Sequence, residues 1–333
     1  MILVTGGTGL VGSHLLYHLT QKNDEIRAIY RTEEKRKHVK KIFSYYTDDI
    51  QHFFAKIKWI KADITDVPSL EPVFKNITKV YHCAALVSFN PKDYRQMRQV
   101  NIEGTANMIN LSIDAKVDKF CFVSSIAAVG NSINGKPIDE ENEWSDEDNN
   151  SGYSITKYGA EMEVWRGSQE GLDIAIVNPG VILGSGFWNE GSGKLFTQIN
   201  NGLKFYTEGI TGFVSVQDVV RSMIILMNSD IKNERFVLVS ENKSFKDILF
   251  VIADGLDKKR PSVKVGKLIT SFLWRIDLLV TFLTKKEPLL TKNSAKASHN
   301  KSYYSSEKIK RELNFKFEAI NKTITLICKN VGS

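Results

Sequence analysis

Residues 1–12 read Met-Ile-Leu-Val-Thr-Gly-Gly-Thr-Gly-Leu-Val-Gly, a short apolar run passing straight into a glycine-rich turn. Ile2, Leu3 and Val4 read as a buried strand, and from Leu10 onward Leu15, Leu16 and Leu19 fall at helical spacing. Between them, Gly6, Gly9 and Gly12 stand where side chains would obstruct. The first permits a tight turn, the second lets a pyrophosphate approach the backbone, and the third lets the helix pack against the strand. A helix beginning here offers unpaired N–H groups and the positive end of its dipole to phosphates. Gly7, Gly9 and Gly12 also satisfy G-x-G-x-x-G, a weak signal alone that gains meaning from the strand before it and the helix after it. The competing reading is a glycine-rich turn that binds nothing.

Working outward, short apolar strands alternate with helical stretches, the pattern of an α/β parallel sheet. Strands are predicted at 2–4, 26–30, 57–60, 79–83, 119–123 and 173–177, and helices at 10–21, 34–46, 68–75, 92–114 and 153–170. The expected fold is a Rossmann-type doubly wound parallel sheet with a smaller, mostly C-terminal substrate-binding lobe. Residues 1–180 would form the dinucleotide domain, with 213–240 returning to it, and 181–333 mainly the lobe. Past Gly180 the pattern turns irregular around Gly184, Gly186, Gly191 and Gly193. A helix near 217–228, a strand near 235–239 and a helix near 244–255 follow. Leu268 to Thr284 is apolar on nearly all sides but carries Arg275 and Asp277, so it fits a membrane-spanning helix poorly. A core or pocket-lining helix is the first reading. A membrane-surface helix is the second, helped by Lys264, Lys267, Lys285 and Lys286 at its ends.

With 333 residues, 42% of them hydrophobic and 25% charged, the chain has the composition of an ordinary globular protein with room to bury a cofactor. Three cysteines, Cys83, Cys121 and Cys328, are too few for a disulfide framework and suit free thiols. Opening on a core strand leaves no room for a signal peptide, so a cytoplasmic location is expected. The net charge of +7 is uneven: residues 257–316 carry fifteen Lys/Arg against five Asp/Glu, whereas Asp139 to Asp148 hold seven acidic residues and no basic ones. The basic stretch suits an anionic substrate, a membrane surface or simply a solvated face, and no motif for nucleic acid accompanies it.

Tyr153-Ser-Ile-Thr-Lys157 places a phenol and an ammonium at i and i+4, on one face of a helix. Tyrosine is a poor base at its ordinary pKa near 10, and a neighbouring cation favours its phenolate. The pair occurs often by chance. Its weight comes from standing on the helix after the fifth strand, whose carboxyl end is where a ligand of this fold would lie. That strand ends in Ser124-Ser125, and a hydroxyl there can hold a reacting oxygen near the tyrosine. Either serine could instead cap the strand-end turn.

Taken in order, Thr5-Gly6-x-x-Gly9-x-x-Gly12, Asp63, His82-x-Ala84-Ala85, Asn101, Ser124-Ser125, Tyr153-x-x-x-Lys157 and Asn178-Pro179-Gly180 resemble the extended short-chain dehydrogenase/reductase superfamily over about residues 1–240. A weaker likeness continues in Tyr304-Ser305-Ser306-x-Lys308-Ile309. The resemblance implies Tyr153 as acid/base, Lys157 as its activator and ribose ligand, and Ser125 as donor to the substrate oxygen. Ser125 is preferred to Ser124 because it stands five positions before Gly130, as the family's serine does. Asn101 would support a water relay, or else brace a helix. Asp63 and Ile64 would flank the adenine, Ala84 and Ala85 the middle of the cofactor, and Pro179 the nicotinamide. Thr5, Leu10, Val11, Val123 and Gly180 complete the cofactor set. The segment Pro179-Gly180-Val181-Ile182-Leu183-Gly184 is similar to that of dihydroflavonol reductases and 3β-hydroxysteroid dehydrogenases.

The second strand ends in Arg31, where an acid would receive the ribose 2′-OH of NAD; an arginine suits the 2′-phosphate of NADP, with Lys35, Arg36 and Lys37 close behind. Glu33 and Glu34 are expected to point along a solvated helix. NADP is therefore the favoured cofactor and NAD the alternative. Val87, Ser88, Phe89, Phe187 and Trp188 are candidate pocket residues and suggest an apolar substrate, although the aromatics serve equally well as lid core. The expected reaction is reduction of a small aldehyde or ketone. The rivals are a nucleotide-sugar epimerase or dehydratase retaining NAD, and a dinucleotide-sensing protein without turnover. No metal is implied. The resemblance also suggests a homodimer pairing through 92–114 and 153–170.

Overall fold

A computed structural model of the chain describes residues 1–22, 25–145, 150–284 and 291–331. Twelve strands occur among these residues: β1 (Ile2–Thr5), β2 (Ile26–Tyr30), β3 (Ile57–Lys61), β4 (Lys79–His82), β5 (Lys119–Val123), β6 (Ile174–Pro179), β7 (Val181–Leu183), β8 (Phe205–Tyr206), β9 (Ile210–Ser215), β10 (Glu234–Leu238), β11 (Glu241–Ser244) and β12 (Val263–Lys264). Seven make one sheet in the order β10-β6-β5-β4-β1-β2-β3, every pairing parallel. Strand order reverses between β1 and β4, and the crevice outside the carboxyl ends at such a reversal is where ligands of doubly wound sheets bind.

Side-chain alternation explains why the sheet is covered on both sides. Val4, Ala28, Tyr81, Cys121, Val123, Ala175 and Val177 enter one core, against the helices Leu10–Thr20 and Val216–Met227. Leu3, Ile29, Val80, Phe120, Phe122, Ile174 and Ile176 enter the other, with Met108 and Ile109 from Gly104–Asp114 and Ala160 and Val164 from Gly152–Gln169. Each such Leu, Ile or Phe contributes about 1.5–3 kcal/mol when removed from water.

All six strands and the long helices expected from the sequence are present, with three departures. The stretch 92–114 is not one helix: Tyr94–Arg98 runs into a π-helical turn at Gln99–Glu103 and then Gly104–Asp114. In 68–75, Pro72 lacks the N–H that would continue Val67–Leu70, and a 3₁₀ turn spans Glu71–Phe74. A short helix at Ile50–Ala55 is additional; it is too brief for its periodicity to register.

Beyond Gly180 the chain forms a small sheet, β11-β9-β7, and a third core of Leu183, Phe196, Ile199, Phe213, Ile248, Ile252, Ile320 and Ile324. Lys267–Thr284 is helical, but Leu268, Ile269 and Phe272 are exposed, so the core reading fails for that face. Lys285 and Lys286, and Asp146 to Asp148 of the acidic stretch, lie outside the described residues. Among the described residues no helix is long and apolar enough to cross a membrane.

Candidate active site

The glycine-rich turn has the shape its sequence required. Gly6 has φ +64, and a Cβ there would lie 2.5 Å from the backbone nitrogen of Ala84. A Cβ on Gly12 would fall 2.2 Å from the Gly6 carbonyl oxygen. Gly12 thus lets the helix close onto its own preceding loop, rather than onto the strand as expected. Gly9 differs: an added Cβ would meet only the Gly6 oxygen, at 3.4 Å, and otherwise open space. It is the N-cap of Leu10–Thr20, with no side-chain cap and no acidic residue in the first turn. The N–H groups at the start of this helix are left to a ligand, and an anion fits them.

A buried polar chain locks that loop to the next strand. The His82 imidazole, driven down to about 3 by burial with a smaller push from Lys157, is neutral. Its Nδ1 is 2.6 Å from Thr5 Oγ1 and its Nε2 3.1 Å from Thr105 Oγ1. Thr105 Oγ1 donates to the Asn101 carbonyl, which assigns the ring proton to Nε2 and leaves Nδ1 to accept from Thr5. Thr5 Oγ1 in turn accepts from the Ala84 amide.

Asn101 sits in the π-helical turn, and its amide is fully employed: Oδ1 accepts from the Leu86 N–H at 2.7 Å, and Nδ2 donates to the Leu86 carbonyl and to Thr156 Oγ1. It braces the segment after β4 against the Tyr153 helix, the second of its two expected roles. At the end of β2, Arg31 faces Asp63 at 3.9 Å, both partly exposed. Lys35 is exposed, and its N–H bonds the Thr32 cap. Glu33 and Glu34 are exposed at the start of the helix Glu33–Phe43, and Glu33 pairs with Arg36 one turn along it. The Ile64 side chain is buried in the second core. Ala84 is half-buried and Ala85 exposed beside the loop.

Ser151 caps the helix Gly152–Gln169, setting Tyr153 in its first turn. The half-buried phenol faces the Ser125 side chain; burial raises its pKa, with the serine hydroxyl acting in the other direction. Ser125 Oγ also accepts from the Ala127 N–H at 3.1 Å, so one serine both caps the turn after β5 and meets the tyrosine. The Phe89 ring stands edge-on to Tyr153, centroids 5.9 Å apart, and is 45% exposed. Val87 is exposed beside it, whereas Ser88 Oγ donates to Asp93 Oδ2. Phe187 packs on His38, and Trp188 packs on Phe196 against the third core.

Lys157 is almost wholly buried. Its Nζ donates to the Val123 carbonyl at 2.7 Å and lies over the Phe122 ring. Desolvation pulls its pKa down to about 8, opposed by the negative charge of Glu161. Glu161 was not singled out from the sequence, although a Tyr-x-x-x-Lys-x-x-x-Glu spacing places it on the same helix face. It is fully buried and accepts from Ser124 Oγ at 2.6 Å, Asn178 Nδ2 at 2.8 Å and Arg235 Nη1 at 3.2 Å. Asn178 Nδ2 also donates to the Ser125 carbonyl, tying β6 to the serine turn. Pro179 ends β6, and the Gly180 N–H bonds the Leu238 carbonyl of β10. Ser124 therefore belongs to the buried acid, and Ser125 to Tyr153. A cavity of about 670 Å³ lies elsewhere, between the helices Leu10–Thr20, Val216–Met227 and Ile320–Cys328, and shares none of these groups.

A parallel sheet reversing beside a phosphate-shaped glycine turn, with a tyrosine–serine contact at the neighbouring strand end, defines a dinucleotide-dependent enzyme of extended short-chain dehydrogenase/reductase type. The chain belongs to the NAD dependent epimerase/dehydratase family, whose model matches residues 2–238. It is 26% identical over 331 residues to a putative dihydroflavonol 4-reductase of Synechocystis sp., covering 96% of this chain and 91% of that protein. It is 25% identical to sterol demethylase protein B of Methylococcus capsulatus, over 93% of this chain and 92% of the other. Its fold is similar to that of UDP-glucose 4-epimerase from Thermotoga maritima, solved with UDP-glucose, at a TM-score of 0.77, 19% identity and coverage of 99% and 98%.

Proposed function

We propose that the protein is an NADPH-dependent reductase of a small, apolar aldehyde or ketone. The observation that carries this is the Tyr153–Ser125 contact beside the exposed Phe89 ring. A raised phenol pKa keeps the proton on Tyr153 at neutral pH, the state needed to protonate a developing alkoxide. The uncapped helix behind Gly9 and the facing Arg31 fit a phosphorylated dinucleotide, the arginine favouring a 2′-phosphate. When bound, the reduced nicotinamide supplies hydride to the carbonyl carbon. Ser125 Oγ holds the carbonyl oxygen, Tyr153 gives up its proton to that oxygen, and the Lys157 ammonium stabilises the phenolate left behind. Phe89 and Val87 supply an apolar wall, and the names of the Synechocystis and Methylococcus relatives agree with an apolar substrate.

The test is NADPH oxidation by purified protein across aliphatic, aromatic, steroid-like and sugar-derived carbonyls. Turnover of apolar carbonyls, absent in Tyr153→Phe, supports the reading. The likeness to NAD-binding epimerases supplies the second reading. Tightly held NAD released on denaturation, with interconversion of nucleotide sugars, would replace the first reading with this one.

A further inference from the structure

The helix Lys267–Thr284 plays no part in the site described above, yet it carries the most exposed apolar side chain of the described core-forming types: Leu268 is 87% exposed, Phe272 63% and Ile269 55%. Positions 268, 269 and 272 share one helix face. The opposite face is tied down: Thr270 is buried and hydrogen-bonded to His299, and the helix Lys292–Ala297 packs alongside. Basic side chains lie on the same pair of helices. Lys267 opens the helix, and Lys292 and Lys296 stand on its neighbour; all three are exposed and have no ion-pair partner among the described residues. Residues 257–316 as a whole carry fifteen basic and five acidic residues.

We infer that this face docks the protein on an anionic lipid bilayer, with the helix lying in the interface and Leu268, Ile269 and Phe272 inserted among the acyl chains. An exposed apolar stripe flanked by lysines is the composition of an interfacial helix, in which area burial and attraction to acidic headgroups act together. Charge decides against a second copy of this chain as the occupant. Two such faces would bring Lys267, Lys292 and Lys296 against their own kind, whereas an acidic headgroup layer pairs with them. No helix among the described residues can span, so contact is confined to one leaflet.

The experiment is co-sedimentation of the full chain with vesicles of phosphatidylcholine alone or mixed with phosphatidylglycerol, at low and high salt. Binding to the anionic vesicles, at least tenfold weaker on neutral ones and weakened by salt, is expected. Leu268→Glu/Phe272→Glu should reduce it tenfold or more, and Lys267→Glu should reduce it only on anionic vesicles. All three substituted positions are exposed, and unchanged thermal melting will show that the fold is kept. Absence of vesicle binding, or binding indifferent to these substitutions, overturns the inference. So does concentration-dependent dimerisation without vesicles that the double variant abolishes, which would assign the face to self-association. None of these readouts depends on turnover, so they stand or fall apart from the proposed reductase activity.

Discussion

The Tyr153 phenol and the Ser125 side chain face one another, so that the first turn of one helix meets the carboxyl end of β5. Neither segment is near the other in sequence; the parallel register of β5 and β6 brings them together. Replacing the phenol should remove the proton donor and little else. Tyr153→Phe is expected to lower kcat by about 10³-fold, within the usual range for a general acid, while dinucleotide affinity, measured by fluorescence quenching, stays within about threefold.

Lys157 predicts the pH dependence. Burial brings its pKa to about 8, so its positive charge fades as pH rises through that value while the Tyr153 phenol remains protonated. Reductive kcat/KM should fall above about pH 8. Stability should respond in the opposite sense, since between about 8 and the ordinary 10.5 the unfolded chain binds this proton more tightly than the folded one. The contribution of this site to ΔG of unfolding therefore rises across that window. Glu161→Gln removes the charge that holds the lysine's pKa up, and should move the kinetic limb to lower pH. A limb that stays in place in the variant would separate Glu161 from Lys157.

The two adjacent serines should behave differently. Ser125→Ala takes away the hydroxyl that meets Tyr153 and is expected to cost about 10²-fold in kcat. Ser124→Ala leaves the buried Glu161 one donor short and should cost about 1–3 kcal/mol of stability by urea unfolding, with kcat nearly unchanged. The reverse outcome, a catalytic loss at Ser124 and a stability loss at Ser125, would mean the roles are exchanged.

Arg31 tests the cofactor. Arg31→Glu places an acid where a 2′-phosphate would sit, opposite Asp63. The ratio of kcat/KM for NADPH over NADH should drop at least tenfold, with little change in melting temperature because the Arg31 side chain is exposed. An unchanged ratio would remove Arg31 from cofactor choice.

Much of the fold was legible from residue order because it is written in local pattern. β1 and the glycine turn are contiguous, strand–helix alternation repeats along the first 180 residues, and Tyr153 and Lys157 share a helix face by spacing alone. Breaks inside elements were harder to see. The π-helical turn at Gln99–Glu103 has no helix-breaking residue to announce it, yet it aims the Asn101 amide at both Leu86 and Thr156. The apolar character of Leu268 to Thr284 was plain in sequence, but periodicity does not say whether an apolar face meets a core or stays outside.

The sequence by itself determined the doubly wound sheet, the phosphate-shaped turn and the tyrosine–lysine pair, since each depends on residues close along the chain. Only the tertiary structure decided that Glu161 gathers Ser124, Asn178 and Arg235, and that Ile64 packs into the second core and Trp188 against the third. Those outcomes depend on strands brought side by side across long stretches of chain. Adjacent residues on a strand point to opposite faces, and what each one meets there is set by packing that no local spacing encodes.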